Sequence, residues 1–435
     1  MNKIINRMKK IIETYSIFFL LVVYSCNEVK VETPLALSQK DDSTTIVYRT
    51  EYYDGRVPFW ESPIIPFHGE SPLLFEEIKG RMFIQVNYDT QNRIAEIKVK
   101  QGGEYKEFQG FNGALYIHAP YTKIRYENNK EIHEFYDRFE NRISAWGDVY
   151  QKVYELDDLD RYTSLYFLNE SGERIENSWG IYLYEWLHQI DGSIIENRLA
   201  KNGEIKELRG MFQFKKIRMI FGPDGHLSLM QNIDKSGKIV PISTGAAQYK
   251  YYYDRQGRFL RWEIYDEYGQ PAIGPTNTSG EKYIFPDVYT KKISFFGKDR
   301  TPTKHMWGAE NGTFTFDKYK NYIRLDLFDA NENLIVGSSN FASRVFNYDD
   351  SGLYLIEEKF LNTKDNLVNT SYGVASVQYK RDNKNLLIER INFNKNGVIV
   401  EENDTGIAII TYEYEDNGKL IKRTRLNSKR EPLND

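Results

Sequence analysis

The chain has 435 residues, with 33 Tyr and 25 Phe, a single Cys and a formal net charge of −4. Aromatic residues at that density exclude a disordered chain, and a charge so near balance excludes a polybasic nucleic-acid binder. One cysteine excludes a disulfide within the chain and a Cys-based metal site.

In chain order, the first element is a leader. Residues 1–25 carry a net +3 from Lys3, Arg7, Lys9 and Lys10 against Glu13, so the remainder stands at −7. An apolar run, Thr14 to Val23, leads to Tyr24-Ser25-Cys26, which is the basic, apolar and polar layout of a secretory signal. The run is about ten residues, short of the ~20 that a spanning helix needs. Val23-Tyr24-Ser25-Cys26 resembles the lipobox of bacterial lipoproteins, in the relaxed form typical of spirochaetes and some Bacteroidetes. That resemblance implies a mature chain beginning at Cys26, acylated there and held on a membrane, with the outer membrane as the expected location. Two or three acyl chains anchor stably where one binds marginally.

Residues 26–48 are polar, with Pro34 and a DDSTT run, and read as a flexible tether. Residues 49–98 carry Pro58, Pro63, Pro66 and Pro72 and match the later pattern poorly. They read as an N-terminal cap or as irregular first repeats.

From 99 to 435 the chain repeats. FNYDDSGLYLIEEKFLNTKDNLV (346–368) is echoed by QYKRDNKNLLIERINFNKNGVIV (378–400) and by YEYEDNGKLIKRTRLNSKREPL (412–433). The residue opening the second turn of each copy falls at Leu426, Phe393, Leu361, Phe328, Phe296, Tyr265, Ile233, Leu199, Leu168, Tyr136 and Val99. Successive gaps are 31 to 34 residues, with 37 for the last, giving about eleven units of roughly 33 residues.

Each unit holds two turns of D-x-x-G type, such as Asp254–Gly257 and Asp266–Gly269. Asp accepts from the backbone at the first position, and Gly takes the left-handed conformation of a bulge. Asp416-Asn-Gly418 reads as one residue tighter than the others. Aromatics alternate on the incoming strand (Tyr249/Tyr251/Tyr253, Phe314/Phe316), and apolar residues alternate with charge on the outgoing strand (Leu260/Trp262/Ile264). A short third strand and a small-residue corner follow, among them Trp146-Gly147, Trp179-Gly180 and Trp307-Gly308. One such unit cannot bury its own face, and stacked units bury a continuous seam. The expected fold is all-β: a tandem antiparallel array of hairpins, spiral or solenoid-like, with a β-propeller as the alternative.

Y-D-x-x-G followed by a second D-x-x-G resembles the YD repeats of the RHS family over most of residues 86–435. In that family the repeats form a β shell around a C-terminal toxin. This chain ends in a repeat, so the toxin function is not expected of it.

No G-x-S-x-G, P-loop, H-E-x-x-H or dinucleotide fingerprint occurs, and the six histidines have no metal-ligand spacing. Acidic neighbours such as Glu357/Glu358 point to opposite faces of a strand rather than across a cleft. No enzyme activity, cofactor, metal or nucleic-acid partner is expected. Trp146, Trp179, Trp307, Tyr249 and Tyr251 are the aromatics that could stack on a sugar or a protein, although recurrence at packing positions favours a structural role. The expected function is that of a membrane-anchored array presenting a long surface to a protein or glycan. The other two readings are a carbohydrate-active enzyme, with its cleft in 49–98 or 270–312, and a purely structural spacer.

Overall fold

The computed structural model describes residues 47–54, 61–64, 72–107, 119–145, 147–207 and 212–433, all within one compact unit, Ile46–Asp435. The signal, Cys26, nearly all of the tether and Trp146 lie outside the described residues.

The described residues form 26 strands in a single antiparallel sheet, with one short 3-10 turn at Phe75–Ile78. Arg49–Tyr53 pairs with Met82–Tyr88, which pairs with Ile94–Gln101. Each main strand then pairs with the next in the chain as far as Leu420–Leu426. The array is thus one open meander, and it lacks the separate blade sheets a propeller requires.

The turns explain the meander. At Asp254 the Gly257 N–H donates to Asp254 O at 3.1 Å, while Asp254 Oδ1 accepts from the Gln256 and Arg258 N–H groups at 2.8 and 2.9 Å. The Gly257 φ of +76° is the left-handed value the turn demands. The next turn repeats the scheme around Asp266, with the Gln270 N–H at 2.8 Å from Oδ1. Where no Gly is present the backbone turns left-handed anyway, at Asn92, Glu140, Arg300, Lys320, Glu332 and Asn385 among others.

The turn near the end departs from the sequence expectation. Gly418 N–H donates to Glu415 O, so the turn opens at Glu415 and has the same length as the rest. Asn417 Oδ1 takes over one of the acceptor contacts, from the Lys419 N–H at 2.9 Å.

Past the second turn, the third segment usually makes one bridge rather than a strand. Tyr136 bridges Arg142, Leu199 bridges Ile205, and the same six-residue step recurs at Ile233, Tyr265, Phe296, Phe328, Leu361, Phe393 and Leu426. Near Val99 the pairing is Lys100 with Tyr105, a tighter hairpin. The corners then hydrogen-bond to one another in sequence: Met306 N–H to Thr276 O, Ser338 to Trp307, Ser371 to Ser339 and Asn403 to Tyr372, at 2.7–3.0 Å.

Strand pleating sorts side chains onto two faces. The inner face carries Ile84, Val86, Phe135, Phe167, Trp186, Ile217, Met230, Ile264, Phe314 and Phe346, all buried. Over much of the array the other face carries half-exposed polar rows such as Lys250, Arg324/Asp326 and Lys359/Glu357.

The sheet also returns over its own beginning. Gln101 Nε2 donates to Ser351 O at 2.8 Å, Arg138 to Lys384 O at 2.6 Å, and Asn141 Nδ2 to Asn417 O at 3.1 Å. These contacts step along both partners together, so the array is a coil whose later units sit on its first ones. The rim of second turns on the early units meets the rim of first turns on the late units.

Candidate interaction surfaces

The aromatic residues singled out in the sequence divide by position. Tyr249 and Tyr251 are 1% and 6% exposed, on the inner face of Gln248–Tyr253. Tyr249 packs on Trp262, Phe212 and Phe214 at 5.0–5.1 Å between ring centroids, and Tyr251 on Trp262 at 6.3 Å. Their rings are covered by neighbouring units. Trp179 and Trp307 are half-buried at separate corners and do not meet. Trp307 stands edge-on to Phe295 and His305, at 5.4 and 4.9 Å. Its carbonyl accepts the next corner's Ser338 N–H at 2.7 Å. Gly308 beside it has φ +81°, and a Cβ there would lie 2.7 Å from Ser338 N.

The same inner face holds charged pairs that the sequence pattern did not disclose. The segment Glu61–Ile64 lies against it, with Glu61 0% exposed. Lys152 Nζ donates to Glu61 Oε1 at 2.6 Å and Tyr154 OH to Oε2 at 3.0 Å. One strand pair further on, Trp186 Nε1 donates to Glu196 at 2.7 Å, and Arg198 pairs with the same carboxylate. Arg198 also donates to the Phe214 and Lys215 carbonyls at 2.7 and 2.9 Å. Burial raises the Glu196 carboxyl above the ordinary range, against the pull of Arg198 and Trp186. Glu131 accepts from Tyr162 OH at 2.8 Å and contacts His133 Nε2 at 2.6 Å. Burial likewise pushes Glu281 up to about 7, opposed by the Tyr283 hydroxyl and Lys291. Glu61, Glu196 and Glu131 are each held by a cation, an indole, a hydroxyl or a ring nitrogen, an arrangement that fixes an interior. No group of three or more His, Cys, Asp and Glu able to hold a metal occurs among the described residues. No helix there is long and apolar enough to cross a membrane.

What faces solvent is the outer face, apart from the buried patch of Ile132, Val153 and Tyr166, and the two rims of hairpin tips. The tips carry exposed apolar side chains, among them Leu159, Ile190 and Val288 on the first-turn rim and Tyr268 on the second-turn rim. Tyr268 is 80% exposed and edges a groove of about 300 Å³ with Lys238, Ile239, Val240, Pro241 and Glu267. The sequence pattern does not mark Tyr268, because it is a turn residue without an alternating neighbour.

No protein-family model matches the chain, and no curated protein matches it. Among solved structures, those of TcdB2-TccC3-TEV and TcdB2-TccC3-Cdc42 align at 12% identity with a TM-score of 0.14. Each alignment covers 79% of this chain and 23% of the other, so the chain spans about a quarter of those proteins. A putative 6-phosphogluconolactonase from Bacteroides fragilis aligns over 90% of this chain and 98% of its own, at 10% identity and a TM-score of 0.12. Likenesses this distant carry no argument about fold or activity.

Proposed function

We propose that the chain is a lipid-anchored, non-enzymatic repeat protein of the bacterial envelope whose surface binds protein or glycan. In this reading residues 1–25 are the signal, Cys26 carries the lipid, 26–48 form the tether, 49–98 are an N-terminal cap or irregular first repeats, and 99–435 repeat a unit of about 33 residues. The observation that carries it is the closed inner face. Its rings and ion pairs are spent on packing, which leaves the polar outer face and the hairpin rims as the surfaces open to a partner.

Mass spectrometry of the mature N-terminus tests the anchor. The expected species starts at Cys26 with two or three acyl chains, and an unacylated terminus elsewhere removes that part. A pull-down from native envelopes tests binding, with a retained protein or glycan expected. If nothing is retained, and shortening the array by whole units alters only its reach, the chain is a spacer instead.

A further inference from the structure

The coil shows within one chain how its two rims fit each other. On the second-turn rim, the tip Asp137–Glu140 sets Phe139 against Gly418, the fourth residue of a first-turn tip. A Cβ on that glycine would lie 2.6 Å from the ring. Around this contact the second-turn rim supplies most of the hydrogen-bond donors, while Lys419 beside Gly418 pairs back with Glu170 on the second-turn rim at 3.8 Å. Lys106 Nζ donates to the Gly352 and Leu353 carbonyls, Gln101 to Ser351 O, and Asn141 to Asn417 O. The first-turn rim supplies bare tip carbonyls and a glycine with no side chain in the way.

The same arrangement recurs further along the second-turn rim, and there it is open. In Asp266-Glu267-Tyr268-Gly269, Tyr268 stands at the third position, where Phe139 stands in its own turn, and it is 80% exposed. Beside it lies the groove floored by Ile239, Val240 and Pro241 and edged by Lys238. The complementary shape lies on the opposite rim, at Gln189-Ile190-Asp191-Gly192. Its Gly192 has φ +82°, a Cβ there would meet no described atom within 4 Å, and Ile190 is fully exposed. Ile190 suits the apolar floor, Asp191 suits Lys238, and Gly192 admits the Tyr268 ring. Within one copy the seam joins early second turns to late first turns, whereas this groove lies on a later second turn and this tip on an earlier first turn, and both Tyr268 and Ile190 stand exposed.

We propose that the Tyr268 groove receives the Gln189–Gly192 tip of a second copy of this chain, so that copies stack rim to rim. The contact continues the seam already made within the chain between Asp137–Asn141 and Asn417–Gly418. Because the two surfaces differ, the contact is heterologous, and each added copy presents a fresh groove or a fresh tip. The inference deepens the surface-presenting reading by naming one partner.

Sedimentation velocity of the full chain in detergent over a hundredfold range of concentration tests it. Species larger than a dimer, growing with concentration, are expected. Tyr268→Asp and Ile190→Asp should each weaken association by at least about tenfold, as loss of a central anchor does, with an unchanged melting curve because both sites are exposed tips. A mixture of the two variants should form dimers and stop there, since each retains one intact surface. A chain monomeric throughout, or association indifferent to both substitutions, overturns the proposal. If the monomer still retains an envelope protein or glycan in the pull-down, stacking fails while the broader functional reading stands.

Discussion

Replacing Lys152 with Met should remove the cation that holds the Glu61 carboxylate. Glu61 is 0% exposed, its Oε1 lies 2.6 Å from Lys152 Nζ, and its Oε2 accepts from Tyr154 OH at 3.0 Å. An uncompensated buried charge costs about 3–5 kcal/mol. The variant should therefore lose about 3–4 kcal/mol at pH 7, read from urea midpoints by tryptophan fluorescence. Glu61→Gln in the same background should restore most of the loss at pH 7. A loss below about 1 kcal/mol, or no recovery with Glu61→Gln, would refute the reasoning by showing that water reaches the unpaired carboxylate.

Three further outcomes are expected. Burial holds His305 down to about 4, so between its unfolded value of 6.5 and about 4 the unfolded chain binds the extra proton. Stability should therefore fall by up to about 3 kcal/mol as pH drops through that window, and His305→Gln should flatten the thermal-melting dependence there. Gly308→Ala should cost about 2 kcal/mol or more by chemical denaturation, because an alanine is strained at φ +81° and its Cβ meets the Ser338 backbone. Glu332→Gly should do the reverse. It relieves a left-handed non-glycine at φ +61°, forgoes only an exposed ion pair with Lys292, and should gain about 0.5–1 kcal/mol by the same assay.

The parts of the fold readable from sequence are those fixed within a few residues. Asp254 and Asp266 declare their turns because the carboxylate and the left-handed residue are both local. Glu415 hid its turn because the backbone closes there without an aspartate, and Asp416 offered a misleading start. Lys320 and Asn385 were invisible for a different reason: Asp317 and Asp382 open their turns as elsewhere, but no glycine marks the left-handed residue. The period-two aromatics Tyr249 and Tyr251 identified the inner face, but pleating alone could not say that its charges find partners there, as Glu196 does in Arg198 along its own strand and in Trp186 on the next. The insertion of Glu61 and the approach of Arg138 to Lys384 depend on how far each unit turns relative to the last. That angle accumulates from small twists and leaves no mark in any one segment.

The seam of the coil bears on how the molecule carries load. In an ordinary repeat array each unit touches only its neighbours, so an end frays one unit at a time and a pull spreads along a soft spring. Here Asn141 reaches Asn417, and Arg138 reaches Lys384, with more than two hundred residues of sheet between the partners. The last units are thereby clasped to the early ones. A force drawing the two ends apart along the coil axis meets many short hydrogen bonds in parallel before any strand is peeled. Such a body behaves as a stiff washer below a threshold tension and as an extensible ribbon above it.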